Sequence, residues 1–141
     1  MAIPYMTVKD PKAAIQLYED AFDGSTTLVM DGPDGSIMHA EMLIGGQRLM
    51  LSGEWPGMAI APEGRSPVNF MIYVDDADAA LEKAVTAGMT AIGEIENMFW
   101  GDRIAKASDG HGYEWTIAQT VEEVSEEDVK QRAMEWMAAM E

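Results

Sequence analysis

Residues 3 to 8 alternate, placing Ile3, Tyr5 and Thr7 on one face and Pro4, Met6 and Val8 on the other, as in a half-buried strand. Asp10 followed by Pro11 reads as an N-cap with proline at the first helical position, and Ile15, Tyr18 and Phe22 then share one stripe before Gly24. This predicts a helix lying on a sheet. Segments 25–30, 37–44 and 47–52 are separated by Gly32-Pro33-Asp34-Gly35 and by Gly45-Gly46, which predicts a three-strand meander. Residues 1–52 thus read as one βαβββ module.

The second half repeats the first. Residues 5–21 lie over 71–87, matching Val8 with Val74, Asp10 with Asp76, Ala13 and Ala14 with Ala79 and Ala80, and Ile15 with Leu81. A strand over 68–74 leads to a helix capped by Asp76, burying Leu81, Ala84 and Val85 and stopping at Gly88. Strands over 90–96, 99–107 and 113–119, the last two joined by Asp109-Gly110-His111-Gly112, complete a second βαβββ module over 68–120. Between the modules, residues 53–67 carry Pro56, Pro62, Pro67, Gly53, Gly57 and Gly64 and read as a linker. The tail, 121–141, opens with a capping box at Ser125 to Asp128 and places Val129, Ala133, Trp136 and Met140 on one stripe. It predicts a C-terminal amphipathic helix that packs on its own domain or, alternatively, clasps a second subunit. The fold class is α+β, with open mixed sheets.

At 141 residues and 48% hydrophobic, the chain suits one compact domain or two small fused modules. No run approaches the ~18 apolar residues of a membrane span, and the first residues lack a positive signal-peptide region, so a cytoplasmic protein away from membranes is expected. Without cysteine there is no disulfide, thiolate zinc site or thiol nucleophile. Nine basic against 25 acidic residues give a net charge of −16, which repels phosphate backbones and argues against nucleic acid. Most of these carboxylates read as a solvated surface, though such a charge also attracts cationic small molecules.

Five segments, PYMTVKDPKAAIQLYEDAF, MHAEMLIGGQRLMLSG, FMIYVDDADAALEKAVTAG, FWGDR and GYEWTIAQTVEEVSEED, together resemble the vicinal oxygen chelate superfamily of glyoxalases, bleomycin-resistance proteins and extradiol dioxygenases. Within it the resemblance is to the PhnB-like branch. That branch commonly reads D-P-F-G-H-x-W where this chain runs from Asp109 to Trp115, so Tyr113 holds the place of the branch's histidine. The resemblance implies that each module curls into half of an open cup, helices outside and ligand inside, two units from one chain or across a dimer completing it. Met6, Val8, Ile72 and Val74 would then face the helices, and Tyr5, Thr7, Met71 and Tyr73 the cup. Open sheet edges that need pairing make a homodimer the expected assembly.

Metal-using relatives hold a divalent cation with four inward side chains, one on the first and last strand of each module. The resemblance puts Ile3, Met50, Asn69 and Thr116 at those places, and none is a strong ligand. No metal or other cofactor is therefore expected. His39 and Glu41, two apart on one strand, share a sheet face with Cβ atoms ~7 Å apart, from a rise of ~3.3 Å per residue. They are the candidate catalytic pair, His39 as a general base, unless they simply decorate an exposed strand. Arg103, close to Trp100 and Asp102, suits stacking, gripping a substrate carboxylate, or a structural pair with Asp102 or Glu41.

Tyr5, His39, Glu41, Asn69, Trp100, Arg103 and Glu114 are the candidate ligand-lining residues. The expected function is binding of a small organic molecule in the cup without a metal. Two alternatives are a metal-dependent lyase or isomerase related to glyoxalase I, and sequestration of a cationic drug such as bleomycin by Trp55, Trp100 and the negative charge. A ubiquinone-type methyltransferase is disfavoured, because both strand-to-helix turns read Val-x-Asp with no glycine to cradle a nucleotide-like cofactor.

Overall fold

A computed structural model describes residues 1–141 as two modules of one design. The first contains β1 (Tyr5–Thr7), α1 (Pro11–Phe22), β2 (Ser25–Asp31), a short 3-10 turn, β3 (Ile37–Ile44) and β4 (Gln47–Ser52). The second contains β5 (Phe70–Tyr73), α2 (Ala77–Ala87), β6 (Thr90–Asn97), β7 (Asp102–Ser108) and β8 (Glu114–Thr120), and α3 (Glu126–Ala139) ends the chain. The sheets have matching orders, β1-β4-β3-β2 and β5-β8-β7-β6. In each, the first strand runs parallel to the last and the other pairs are antiparallel. The repeat extends to register: Tyr5 lies opposite Met50, and their counterparts 66 residues on, Met71 and Thr116, lie opposite each other.

The helix starts are chemical. Asp10, Asp76 and Ser125 each accept a hydrogen bond, 3.1 Å long, from the backbone N–H three residues on, satisfying a donor that the first helical turn leaves free. Two boundaries and one buried face differ from expectation. Residues 99–101 form a tight turn rather than strand, closed by Met98 N–H to the Asp102 carbonyl and Gly101 N–H to the Met98 carbonyl. The first helix ends on Asp23, in the left-handed region at φ 54°, one residue before Gly24. On α2 Ala84 is buried and Leu81 packs partly against the core as expected, whereas Val85 lies on the exposed side and Ala77 is buried in addition.

One core serves both modules. Met6, Val8, Ala40, Met42, Leu49 and Leu51 of the first sheet and Ile72, Ala105, Ala107, Trp115 and Ile117 of the second all bury the row that faces the helices. The modules meet where α1 packs on α2 and where Tyr18 and Phe22 of α1 reach the Trp115 ring, at centroid distances of 5.2 and 4.8 Å. Burying each such large apolar side chain is worth ~1.5–3 kcal/mol. Tyr113 adds a polar tie, its hydroxyl bonding the backbone of Thr7.

The opposite rows stay open. Tyr5, Leu28 and Met30 on the first sheet and Met71, Tyr73 and Ile92 on the second are all exposed. Met6, Val8 and Ile72 face the helices as expected, with Val74 packed against the same core, and one chain by itself carries two uncovered half-cups. The tail helix buries no residue. It touches the 98–101 turn through Arg132, which bonds the Phe99 carbonyl and both Glu122 carboxylate oxygens, and through Trp136 against the Phe99 ring. The expected packing of its Trp136 and Met140 stripe is therefore partial, with Met140 fully outside. No helix is long and apolar enough to cross a membrane.

Candidate functional site

Period-two geometry brings Tyr5 of β1, Met50 and Ser52 of β4, and His39 and Glu41 of β3 onto the open face of the first sheet. Tyr5 reaches across β4, and its hydroxyl lies 2.8 Å from His39 Nδ1, the two rings 5.6 Å apart. His39 Nε2 faces Glu41 Oε1 at 3.6 Å, and that same oxygen accepts a 2.7 Å bond from Arg48 Nη2. A chain of four polar side chains thus runs across the sheet: phenol, imidazole, carboxylate, guanidinium. The middle two are well sheltered, with side-chain exposures of 21% and 14%.

The Tyr5 and His39 end of this chain lines a hollow of about 760 Å³ whose other walls are mostly apolar, with Glu41 and Arg48 beyond its edge. Thr7, Met38 and Ser52 come from the strands; Trp55, Met58, Ala59 and Ile60 come from the segment read in the sequence as a linker. That segment is a built wall. Trp55 and Ala59 form a bridge, each N–H bonded to the other's carbonyl at 2.8 and 2.9 Å, which presents Met58 and Ile60 outward at 87% and 74% exposure. A concave, largely apolar space with a few convergent polar groups is the usual make-up of a small-molecule pocket. A cleft of similar size at the start of α1 is lined instead by mixed charges, among them Lys9, Lys12, Asp34 and Glu54.

The remaining sequence candidates are dispersed. Trp100 lies in the turn leading into β7, where its indole N–H and the Tyr73 hydroxyl both donate to Asp102 Oδ2, at 3.0 and 2.8 Å. Asp102 is only 5% exposed, and its bond to Tyr73 is the main reason that phenol titrates above its ordinary range. Arg103 turns to α2, where its guanidinium grips Asp78 bidentately at 2.7 and 2.9 Å and bonds Asn97. That pair raises Arg103 and lowers Asp78 from their ordinary values. Its partner is thus neither the Asp102 nor the Glu41 considered from sequence. Glu114 pairs with Arg65 at 3.0 Å, and Asn69 stands exposed before β5.

Of the seven candidates, only Tyr5, His39 and Glu41 converge. Arg48, Met38, Ser52, Met58 and Ile60 escaped sequence reasoning. The legible signals were the period linking Arg48 to Met50 and Ser52, and large apolar residues inside a proline- and glycine-rich stretch.

The positions that the resemblance assigns to a cation carry Ile3, Met50, Asn69 and Thr116: two apolar chains, an amide and a hydroxyl. Their donor chemistry does not fit Zn²⁺, Ni²⁺ or Fe²⁺, and no three His, Asp or Glu residues cluster elsewhere in the chain.

Residues 3–117 match the Glyoxalase/Bleomycin resistance protein/Dioxygenase superfamily. An uncharacterised protein of Mycobacterium bovis is 34% identical over 133 residues, which cover 90% of this chain and 88% of that one. Among solved structures, a gene product of Arabidopsis thaliana superposes with a TM-score of 0.70 at 24% identity, covering 84% of this chain and 97% of the other. The PhnB protein from Bacillus cereus does so with a TM-score of 0.67 at 11% identity, covering 84% and 98%. Duplicated βαβββ modules, matching strand orders and a match over most of the sequence agree: the chain belongs to the Glyoxalase/Bleomycin resistance protein/Dioxygenase superfamily.

Proposed function

We propose that this protein is a PhnB-like member of its superfamily that binds a small, mainly apolar organic molecule in the hollow on its first sheet, without a metal ion. The observation that carries this is the pair Tyr5 and His39 lining an apolar hollow, with Glu41 and Arg48 backing the imidazole from behind. A ligand there exchanges water for Trp55, Met58 and Ile60, and finds hydrogen-bonding groups at one end only. The donor set at the four corner positions supports a metal-free mode, and the glyoxalase-like alternative lacks the carboxylate and imidazole ligands its chemistry needs. The cationic-drug alternative is weakened by Arg48, which already neutralises the carboxylate on this face.

The reading includes a homodimer. Two exposed half-cups and an α3 with no buried residue leave apolar surface that a second copy would cover. Sedimentation of the wild type and of Tyr73→Glu tests this: a dimer that the charge dissociates supports it, and a monomeric wild type at micromolar concentration opposes it.

The 13 methionines supply a direct test of the hollow. With methyl-labelled methionine, a screen of small aromatic and aliphatic carbonyl compounds should shift the Met38 and Met58 signals while leaving Met140 unmoved. Shifts confined to other methionines would place the binding site elsewhere.

A further inference from the structure

We propose that Tyr5, rather than His39, is the group that exchanges a proton with the molecule bound in the hollow, with His39 as its internal base and Glu41 and Arg48 as positioning residues. This rests on the small-molecule reading of the hollow and assigns chemistry to it.

Both ring nitrogens of His39 face side chains of the relay, Nδ1 within hydrogen-bond distance and Nε2 at 3.6 Å, an ion-pair separation only. Nδ1 lies 2.8 Å from the Tyr5 hydroxyl, and Nε2 is turned to the Glu41 carboxylate. A carboxylate beside Nε2 favours hydrogen on that nitrogen, which leaves Nδ1 as the acceptor and makes the phenol the donor. Tyr5 and His39 both line the hollow, and of the two Tyr5 is the exposed residue, at 53%, its phenolic oxygen keeping a lone pair available. Glu41 is held in turn by Arg48, so the imidazole is oriented by a carboxylate that is itself fixed.

The proton step balances without a co-reactant. A ligand O–H, or a C–H beside a carbonyl, gives its proton to the Tyr5 oxygen as the phenolic proton passes to His39 Nδ1. The ligand is left as a phenolate or enolate, Tyr5 is unchanged, and His39 becomes an imidazolium facing Glu41. No electrons move between partners.

Charge defines the ligand class. Glu41 and Arg48 offset each other, so with His39 neutral the relay has no net charge and suits an uncharged ligand. It gains one positive charge at the moment the ligand becomes an anion, within a protein whose overall charge of −16 would otherwise oppose that anion. The geometry thus points to phenols, enols and enolisable carbonyl compounds with an apolar body.

4-Nitrophenol, whose colour reports its ionisation, serves as the probe. With wild-type protein in excess and the pH held below the probe's own midpoint, the ionised fraction of bound probe should rise roughly tenfold, one unit of midpoint shift. Tyr5→Phe and His39→Gln should still bind the probe, seen by displacement of the Met58 methyl signal, yet leave its ionisation at the free value. Glu41→Gln should lie between, with Glu41→Asp closer to wild type. Retention of the full ionisation shift in Tyr5→Phe overturns the proposal while leaving the binding reading intact. Failure of the wild type to bind the probe at all overturns both.

Discussion

Tyr18 of α1 donates its phenolic hydrogen to Asp109 Oδ2 in the turn between β7 and β8, 2.5 Å away and 91 residues along the chain. Asp109 is 3% exposed and also accepts from the Trp115 indole and from the backbone N–H groups of His111 and Tyr113. One carboxylate therefore shapes its own turn with Oδ1 and ties that turn to the other module's helix with Oδ2. Removing a donor from a buried charged acceptor costs about 1.5–3 kcal/mol, so Tyr18→Phe should lower the free energy of urea unfolding by that amount. Asp109→Asn should cost more, and a double-mutant cycle should show the two losses to be non-additive. Additive losses would mean that the two groups do not act as a unit.

Alkaline pH should loosen the same junction. Burial, followed by the Asp109 charge, pushes Tyr18 well above its ordinary value, and Tyr113 and Tyr73 are raised as well. A group whose folded value is raised contributes stability that is intact below the unfolded value, about 10 for tyrosine, and is lost as pH climbs toward the folded value. Unfolding free energy should thus be flat in this respect up to about pH 10 and fall above it. Tyr18→Phe should flatten that fall. An unchanged alkaline slope in the variant would show that Tyr18 is not its source.

Gly101 anchors the tail. Its φ of 103° lies in the left-handed half of backbone space, and a Cβ there would sit 2.1 Å from the Glu122 carbonyl oxygen. The Gly101 carbonyl accepts from both Val121 and Glu122 N–H. Gly101→Ala should cost at least about 1–3 kcal/mol from backbone strain and should free α3, seen as faster proteolysis after residue 121. Wild-type resistance in that variant would count against the anchor.

Arg103→Ala should leave ligand binding unchanged, because the guanidinium serves Asp78 at the start of α2 rather than the hollow. Asp78 is lowered by that pair, so its contribution to stability holds above its unfolded value and is lost as pH falls through its folded value. The variant should therefore show a slightly weaker acid dependence of melting temperature. A large loss of binding would return Arg103 to the site.

The fold was legible because two signals agreed: each Val-x-Asp turn ends a strand and caps a helix, and the meander turns are marked by glycine. The 66-residue offset recurs in the strand registers, Tyr5 with Met50 and Met71 with Thr116. The site was only half legible. Alternation puts Tyr5, His39 and Glu41 on one face, but it cannot tell which way a side chain near a turn points. Arg103 is the second residue of β7, beside the 99–101 turn, and its row faces α2. Residues 53–67 failed for a related reason. Proline and glycine content identifies irregular backbone, yet irregular backbone stapled by a bridge, as between Trp55 and Ala59, builds a wall as firmly as a strand does.

Native mass spectrometry of the protein purified without chelator, paired with elemental analysis of the same sample, tests the metal-free small-molecule site most directly. The expected result is an organic adduct that Ile60→Asp abolishes, with transition metal far below one equivalent per chain. A full equivalent of Zn²⁺, Ni²⁺, Mn²⁺ or Fe²⁺ held through dialysis, with no organic adduct, would contradict it.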